Sequence, residues 1–165
     1  MTETANDEVV VDVARELVAR TAPQELPVFR ATSAAYLEDP DQVLKAKAGK
    51  SDEMLGFGVE AALLFLTPAA LEIAKSVVSY LATEIRAAFE KETSDEIARR
   101  VHGLFHRTES AGDADATEAV PSERLTQDQL ARVHDLALEK ARALDLPEAQ
   151  AGLLADAMVG SLAAA

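Results

Sequence analysis

The feature that most constrains this chain is a run of apolar residues at helical spacing near its middle. The run advances in alternating steps of three and four through Leu71, Ala74, Val78, Leu81, Ile85 and Ala88. Such steps keep side chains on one face of an α-helix, as along a coiled-coil seam. Ile73, Val77 and Tyr80 widen the stripe and leave a narrow polar line. A helix that is apolar over most of its circumference is typically buried, so we predict a long central helix from Pro68 to Glu90.

Composition favours helices in the rest of the chain as well. Alanine, the strongest helix former, supplies 33 of the 165 residues, whereas aromatic residues supply 4%. The sequence therefore predicts an all-α fold, a helical bundle around the long apolar helix. The chain has no Cys, which excludes a disulfide framework and any nucleophile or metal site built on thiolates.

Three regions are predicted along the chain. Residues 1–107 are expected to form the helical bundle core, with further helices over 6–21, 28–37, 41–48 and 95–106. Asn6 and Ser94 are the expected N-caps of the first and the last of these helices. The pair Thr67–Pro68 permits either a new helix start or a kink in one long helix over 52–91. Residues 108–125 carry five acids and one Arg with few large apolar side chains, so we predict an acidic flexible linker.

Residues 126–165 are predicted to form a helical hairpin. Thr126 is the expected N-cap of its first helix, with Gln129 at the capping-box position, and 146–147 forms the turn. The expected inward side chains of the second helix are Leu153, Leu154, Ala157, Met158 and Leu162. A hairpin of about forty residues rarely folds alone. We therefore expect it to dock on residues 1–107, on a second copy of the chain, or on a partner.

The charge of the chain limits its partners. The formal net charge is −13, and each of the three regions is acidic, with no run of five Lys or Arg. Nucleic-acid binding draws its affinity from neutralised phosphates, so no nucleic-acid partner is predicted. Anionic lipid surfaces are disfavoured for the same reason. The first eight residues lack the pattern of a secretory signal, and a cytoplasmic location is expected.

Two sequence features are candidates for a chemical role, namely a pair of His residues and an isolated Glu. His102 and His106 are four residues apart, so on a helix they share a face and could chelate a metal. The nearest acid in sequence is Glu109, and two His near a helix C-terminus more often stabilise the helix dipole. Glu60 stands in an apolar stretch, either as a buried acid or on a thin solvated edge. We therefore predict no metal, no cofactor and no catalytic residue.

The apolar stretch 54–90 also raises the alternative of a membrane-active component. A spanning helix needs about 20 mostly apolar residues. The longest uncharged run here, Ala61–Leu71, has eleven residues. Insertion of a hairpin around Thr67–Pro68 after a rearrangement is the alternative. The negative charge of the chain disfavours its association with anionic membranes.

The function we predict from these patterns is a non-enzymatic interaction, regulatory or assembly protein. Its partner is another protein or a second copy of the chain, reached through apolar helix faces. The candidate contact residues are Ile73, Val77, Tyr80, Leu130, Leu154 and Met158. A small enzyme or a metal-binding protein is the third hypothesis.

Overall fold

The computed structural model describes residues 2–50, 66–89, 91–106 and 125–163. Within these residues it contains seven α-helices and no β-strand, so the all-α prediction is confirmed. The helices are α1 (Thr2–Thr21), α2 (Leu26–Glu38), α3 (Pro40–Lys50), α4 (Leu66–Ala88), α5 (Ser94–Phe105), α6 (Gln127–Ala143) and α7 (Glu148–Ala163). A short 3₁₀ helix, Pro23–Glu25, joins α1 to α2.

Helix α4 packs against α1, α2, α5 and α6. Twelve of its 23 residues are buried, and they include the predicted seam from Leu71 to Leu81. The seam then leaves the core, because Ile85 is half-buried and Ala88 is exposed. The buried first turn of α4 thus lies deep in the bundle, and its last turn lies at the surface.

Helix α1 supplies a second continuous apolar face. It contacts α2, α4, α5 and α7. The side chains that helical spacing places on one face are at most 3% exposed, namely Val10, Val13, Ala14, Leu17 and Val18. The helix begins at Thr2, ahead of the predicted cap at Asn6, and ends at Thr21 as predicted.

The C-terminal hairpin docks on the helices of its own chain. Helices α6 and α7 pack on each other, α6 lies against α4, and α7 lies against α1 and α5. The predicted capping box is present: Gln129 N–H donates to Thr126 Oγ1 over 3.2 Å, and Thr126 N–H donates to Gln129 Oε1 over 2.9 Å. Asp145, two residues after the end of α6, adopts the left-handed region at φ 56°, and the following Leu146 is buried.

The corner between α4 and α5 is held by side chains. Thr93, one residue before the predicted Ser94, is the N-cap of α5 and forms a capping box with Glu96. The bond from the Thr93 backbone N–H lowers the pKa of Glu96. Arg100 Nε donates to the Glu92 carboxylate over 2.7 Å, and the Arg100 guanidinium lies 4.3 Å from the centre of the Phe89 ring.

Several predictions fall outside the described residues. Residues 108–124 of the predicted linker lie there, as does Glu60. The part of the predicted helix over 52–91 that precedes Leu66 also lies there.

Candidate functional site

The six predicted contact residues are packed inside the chain or against its core. Ile73, Val77, Leu154 and Met158 are fully buried, and Tyr80 and Leu130 are half-buried against the same core. The apolar faces of α4, α6 and α7 bury one another, because the hairpin docks on its own chain. Four of the six side chains therefore cannot form an exposed contact surface on the folded chain.

An exposed apolar surface instead lies on the opposite side of α7. Leu153 was predicted to face inward, but 49% of its surface is exposed. Ala149 is also exposed, and Ala157 and Gly160 are half-buried. Helical spacing places these four residues on one stripe, which we name the outer α7 face: Ala149, Leu153, Ala157 and Gly160. Leu153 is the one large apolar side chain of this face. The exposed Asp156 lies on the same side of α7, and Arg20 Nη1 of α1 lies 3.5 Å from the position that a Cβ at Gly160 would take.

Two other large apolar side chains are exposed in the described residues. Val28 is 43% exposed and Leu37 is 44% exposed, both on α2. Nine residues correspond to a rotation of about 180° at 3.6 residues per turn, so the two lie on opposite sides of that helix. They do not form one patch, which leaves the outer α7 face as the better candidate surface.

A buried carboxylate, which sequence patterns did not single out, lies at the start of α4. Glu25 is 1% exposed. Its Oε1 accepts from Leu66 N–H over 3.2 Å, and its Oε2 accepts from Thr67 N–H over 2.8 Å and from Thr67 Oγ1 over 2.5 Å. The first amides of a helix have no acceptor within the helix, and the helix dipole favours a negative charge there. Glu25 therefore caps α4 from a distant segment, and its burial has a structural explanation.

A second polar contact ties three helices together. The hydroxyl of Tyr36, 1% exposed on α2, donates to Glu72 Oε2 on α4. Lys140 Nζ of α6 lies 3.9 Å from Glu72 Oε1. Burial, and next the hydrogen bond to Glu72, raise the pKa of Tyr36 far above its ordinary value. Perturbed titratable groups often mark active sites, but this one is explained by helix packing.

This contact predicts a loss of stability in alkali. The pKa of Tyr36 is raised in the folded state. The contribution of its neutral hydroxyl to the free energy of unfolding is therefore fully present below the unfolded pKa of about 10 and is lost as the pH rises above that value. The chain has two Tyr, so in the Tyr80→Phe variant near-ultraviolet tyrosinate absorbance reports on Tyr36 alone. We expect that absorbance to appear only together with loss of the helical circular dichroism signal.

The matched variant is Tyr36→Phe, which leaves the half-buried Tyr80. Burial raises the pKa of Tyr80 as well, but this side chain reaches the surface, so its tyrosinate signal should develop while the helices are intact. If the Tyr80→Phe variant also formed tyrosinate while fully helical, the Tyr36 hydroxyl would not be buried and hydrogen-bonded to Glu72 in solution.

Among the described residues, no helix combines the length and the apolar character needed to cross a membrane. The described part of the predicted membrane-active stretch, from Leu66 onward, lies largely in the core of the bundle. Comparisons of this chain with protein-family models, curated proteins and solved structures find no match.

Proposed function

We propose that this chain is a non-enzymatic assembly protein that associates with another protein chain through the outer α7 face. The observation that carries the proposal is the 49% exposure of Leu153 in a helix with little charge. Only Glu148 and Asp156 are charged among the 16 residues of α7. Large apolar side chains of a helix are normally covered, yet Leu153 faces solvent on the side of α7 that also carries these two acids.

The shape of the outer α7 face suits a helical partner. Ala149 and Ala157 have small side chains, so a second helix can approach closely beside Leu153, whereas the Arg20 guanidinium lies next to Gly160. An amphipathic helix with its own apolar stripe is the matching surface. The simplest such partner is α7 of a second copy, paired about a two-fold axis.

Charge opposes this self-pairing at low salt. Each copy brings a net charge of −13, and like charges on two approaching chains repel. Screening shortens that repulsion as the ionic strength rises, while the apolar contact is little affected. We therefore expect association to strengthen with added salt, the opposite of an interface held by ion pairs.

The test is analytical ultracentrifugation of the full chain at low and high salt. Leu153→Glu places a charge at the centre of the face in both copies, and we expect it to weaken association by at least about a hundredfold. The matched control is Ala131→Glu, which adds the same charge at an exposed position of α6. Equal effects of the two variants, or a wild-type chain that stays monomeric at high concentration and high salt, would contradict the proposal.

In this role the chain catalyses no reaction and acts in the cytoplasm, where a Cys-free chain is at home. A basic protein partner on the same face would also be disrupted by Leu153→Glu, but its association would weaken with added salt.

A further inference from the structure

Three side chains with metal-ligating atoms meet where α1 crosses α5. The rings of His102 and His106 lie one above the other, with centroids 4.2 Å apart. Asp12 of α1 faces them, and its Oδ2 lies 3.6 Å from His102 Nε2. One ligand atom from each of the three residues lies within 4.8 Å of the other two. The fold thus adds to the His pair an acid that is ninety residues away in sequence.

One imidazole nitrogen of this cluster has no partner among the described residues. His106 Nε2 is shielded from solvent and forms no hydrogen bond with the part of the chain that the structure describes. Buried polar atoms are nearly always paired, so an orphaned one calls for an explanation. A neutral imidazole nitrogen carries the lone pair that a metal ion accepts. A bound ion beside His102 would satisfy this nitrogen, whereas an ion pair between Asp12 and His102 leaves it unpaired.

We propose that Asp12, His102 and His106 bind a divalent transition metal ion of the zinc type. Two imidazoles and one carboxylate match the donor preference of zinc and its neighbours, whereas calcium and magnesium prefer oxygen ligands throughout. Two His at i and i+4 on one helix are a spacing that zinc sites use. Three protein ligands leave a fourth position of a tetrahedral ion open to water or another ligand.

The geometry requires a small contraction to hold an ion. At a metal–nitrogen distance of about 2.0–2.1 Å, tetrahedral ligand atoms lie about 3.3 Å apart. The 3.6 Å between Asp12 Oδ2 and His102 Nε2 is close to this value, and since all the ligand atoms lie within 4.8 Å of one another, no separation must close by more than about 1.5 Å. The side chains of Asp12 and His102 are 43% and 44% exposed, so both have room to rotate toward a shared ion.

The field of the protein also favours a cation at this place. Glu8 lies one helical turn before Asp12 on α1 and adds negative charge there, whereas Glu16, one turn after Asp12, is paired with Arg20 over 2.7 Å. The chain as a whole carries −13, so a divalent cation reduces its self-repulsion.

The experiment is titration of chelator-treated full-length protein with Zn²⁺ by calorimetry, followed by Co²⁺ binding read from visible absorption. We expect one ion per chain, and a Co²⁺ spectrum typical of imidazole ligation. Asp12→Ala, His102→Ala and His106→Ala should each weaken Zn²⁺ binding by roughly tenfold or more, because removing a ligand costs at least as much as removing a group that orients one. Circular dichroism at the same temperature verifies that each variant is folded.

The matched control is His134→Ala. His134 is the third His of the chain, is 36% exposed, and has its Nε2 3.3 Å from Asp156 Oδ1. It therefore resembles the His102–Asp12 pair without a second His beside it, and its loss should leave Zn²⁺ binding unchanged.

Three results would overturn the proposal. They are an absence of Zn²⁺ binding by the wild-type chain, an equal loss in His134→Ala, and full binding by a folded His106→Ala. The last result would reduce the cluster to an ion pair between Asp12 and His102. A ligand variant that fails to fold is replaced by His106→Gln or Asp12→Asn, which keep a polar group at the position.

Discussion

Replacing Glu25 with Ala is expected to lower the free energy of unfolding by about 3–5 kcal/mol. The carboxylate is the acceptor for Leu66 N–H, Thr67 N–H and the Thr67 hydroxyl, all in a buried setting. Each buried donor left without an acceptor costs roughly 1–3 kcal/mol. Since small domains are stable by about 5–15 kcal/mol, the variant would lie near the limit of folding. Urea unfolding followed by circular dichroism measures the loss.

Two milder substitutions show whether the cap is the cause. Glu25→Gln keeps one carbonyl acceptor and is expected to cost about 1–2 kcal/mol. Thr67→Val removes the hydroxyl but leaves both backbone bonds to Glu25, so about 1 kcal/mol is expected. A Thr67→Val loss as large as that of Glu25→Ala would show that capping of the backbone amides contributes little.

Ending the chain after Arg107 is the second change with a large expected effect. The hairpin contributes fully buried side chains to the common core, among them Val133, Leu154 and Met158. Loss of one large buried side chain costs about 2–5 kcal/mol, so loss of the whole hairpin exceeds the stability of an ordinary domain. We expect the shortened chain to lose its cooperative unfolding transition and to self-associate through the exposed faces of α1 and α4.

Light scattering and thermal unfolding measure both effects. A milder change for comparison is Met158→Ala in the full chain. This variant is expected to unfold cooperatively, with a free energy of unfolding lower by about 2–5 kcal/mol. A monomeric shortened chain with a sharp transition would show that residues 1–107 fold alone and that the hairpin is an appendage.

What could be predicted from the sequence was local. The capping box of Thr126 and Gln129 depends only on two residues that are three apart in sequence, so it can be predicted without knowledge of the fold. The buried face of α1 follows from spacing alone for the same reason, because every third or fourth residue along it is apolar. The N-cap of α5 was misplaced by one residue, since Thr93 and Ser94 are chemically equivalent as caps.

What could not be predicted depends on distant pairs or on an ambiguous pattern. Glu25 and Leu66 are 41 residues apart, and no local pattern links an acid to the start of that helix. Asp12 reaches His102 only because α1 crosses α5. Leu153 was placed inward because α7 is apolar on all sides, so periodicity does not distinguish its buried face from its outer face.

The corner at Arg100 has a mechanical consequence for the cluster at the far end of α5. From Arg100 to His106 the helix rises by about 9 Å, so a tilt of about 10° at the corner displaces the His106 end by about 1.5 Å. That displacement is similar in size to the contraction that a tetrahedral ion requires. Val101 and Phe105 pack this segment into the core, so the helix moves only together with its neighbours. The contacts of Arg100 with Glu92 and Phe89 therefore help to set the separation between the His pair and Asp12.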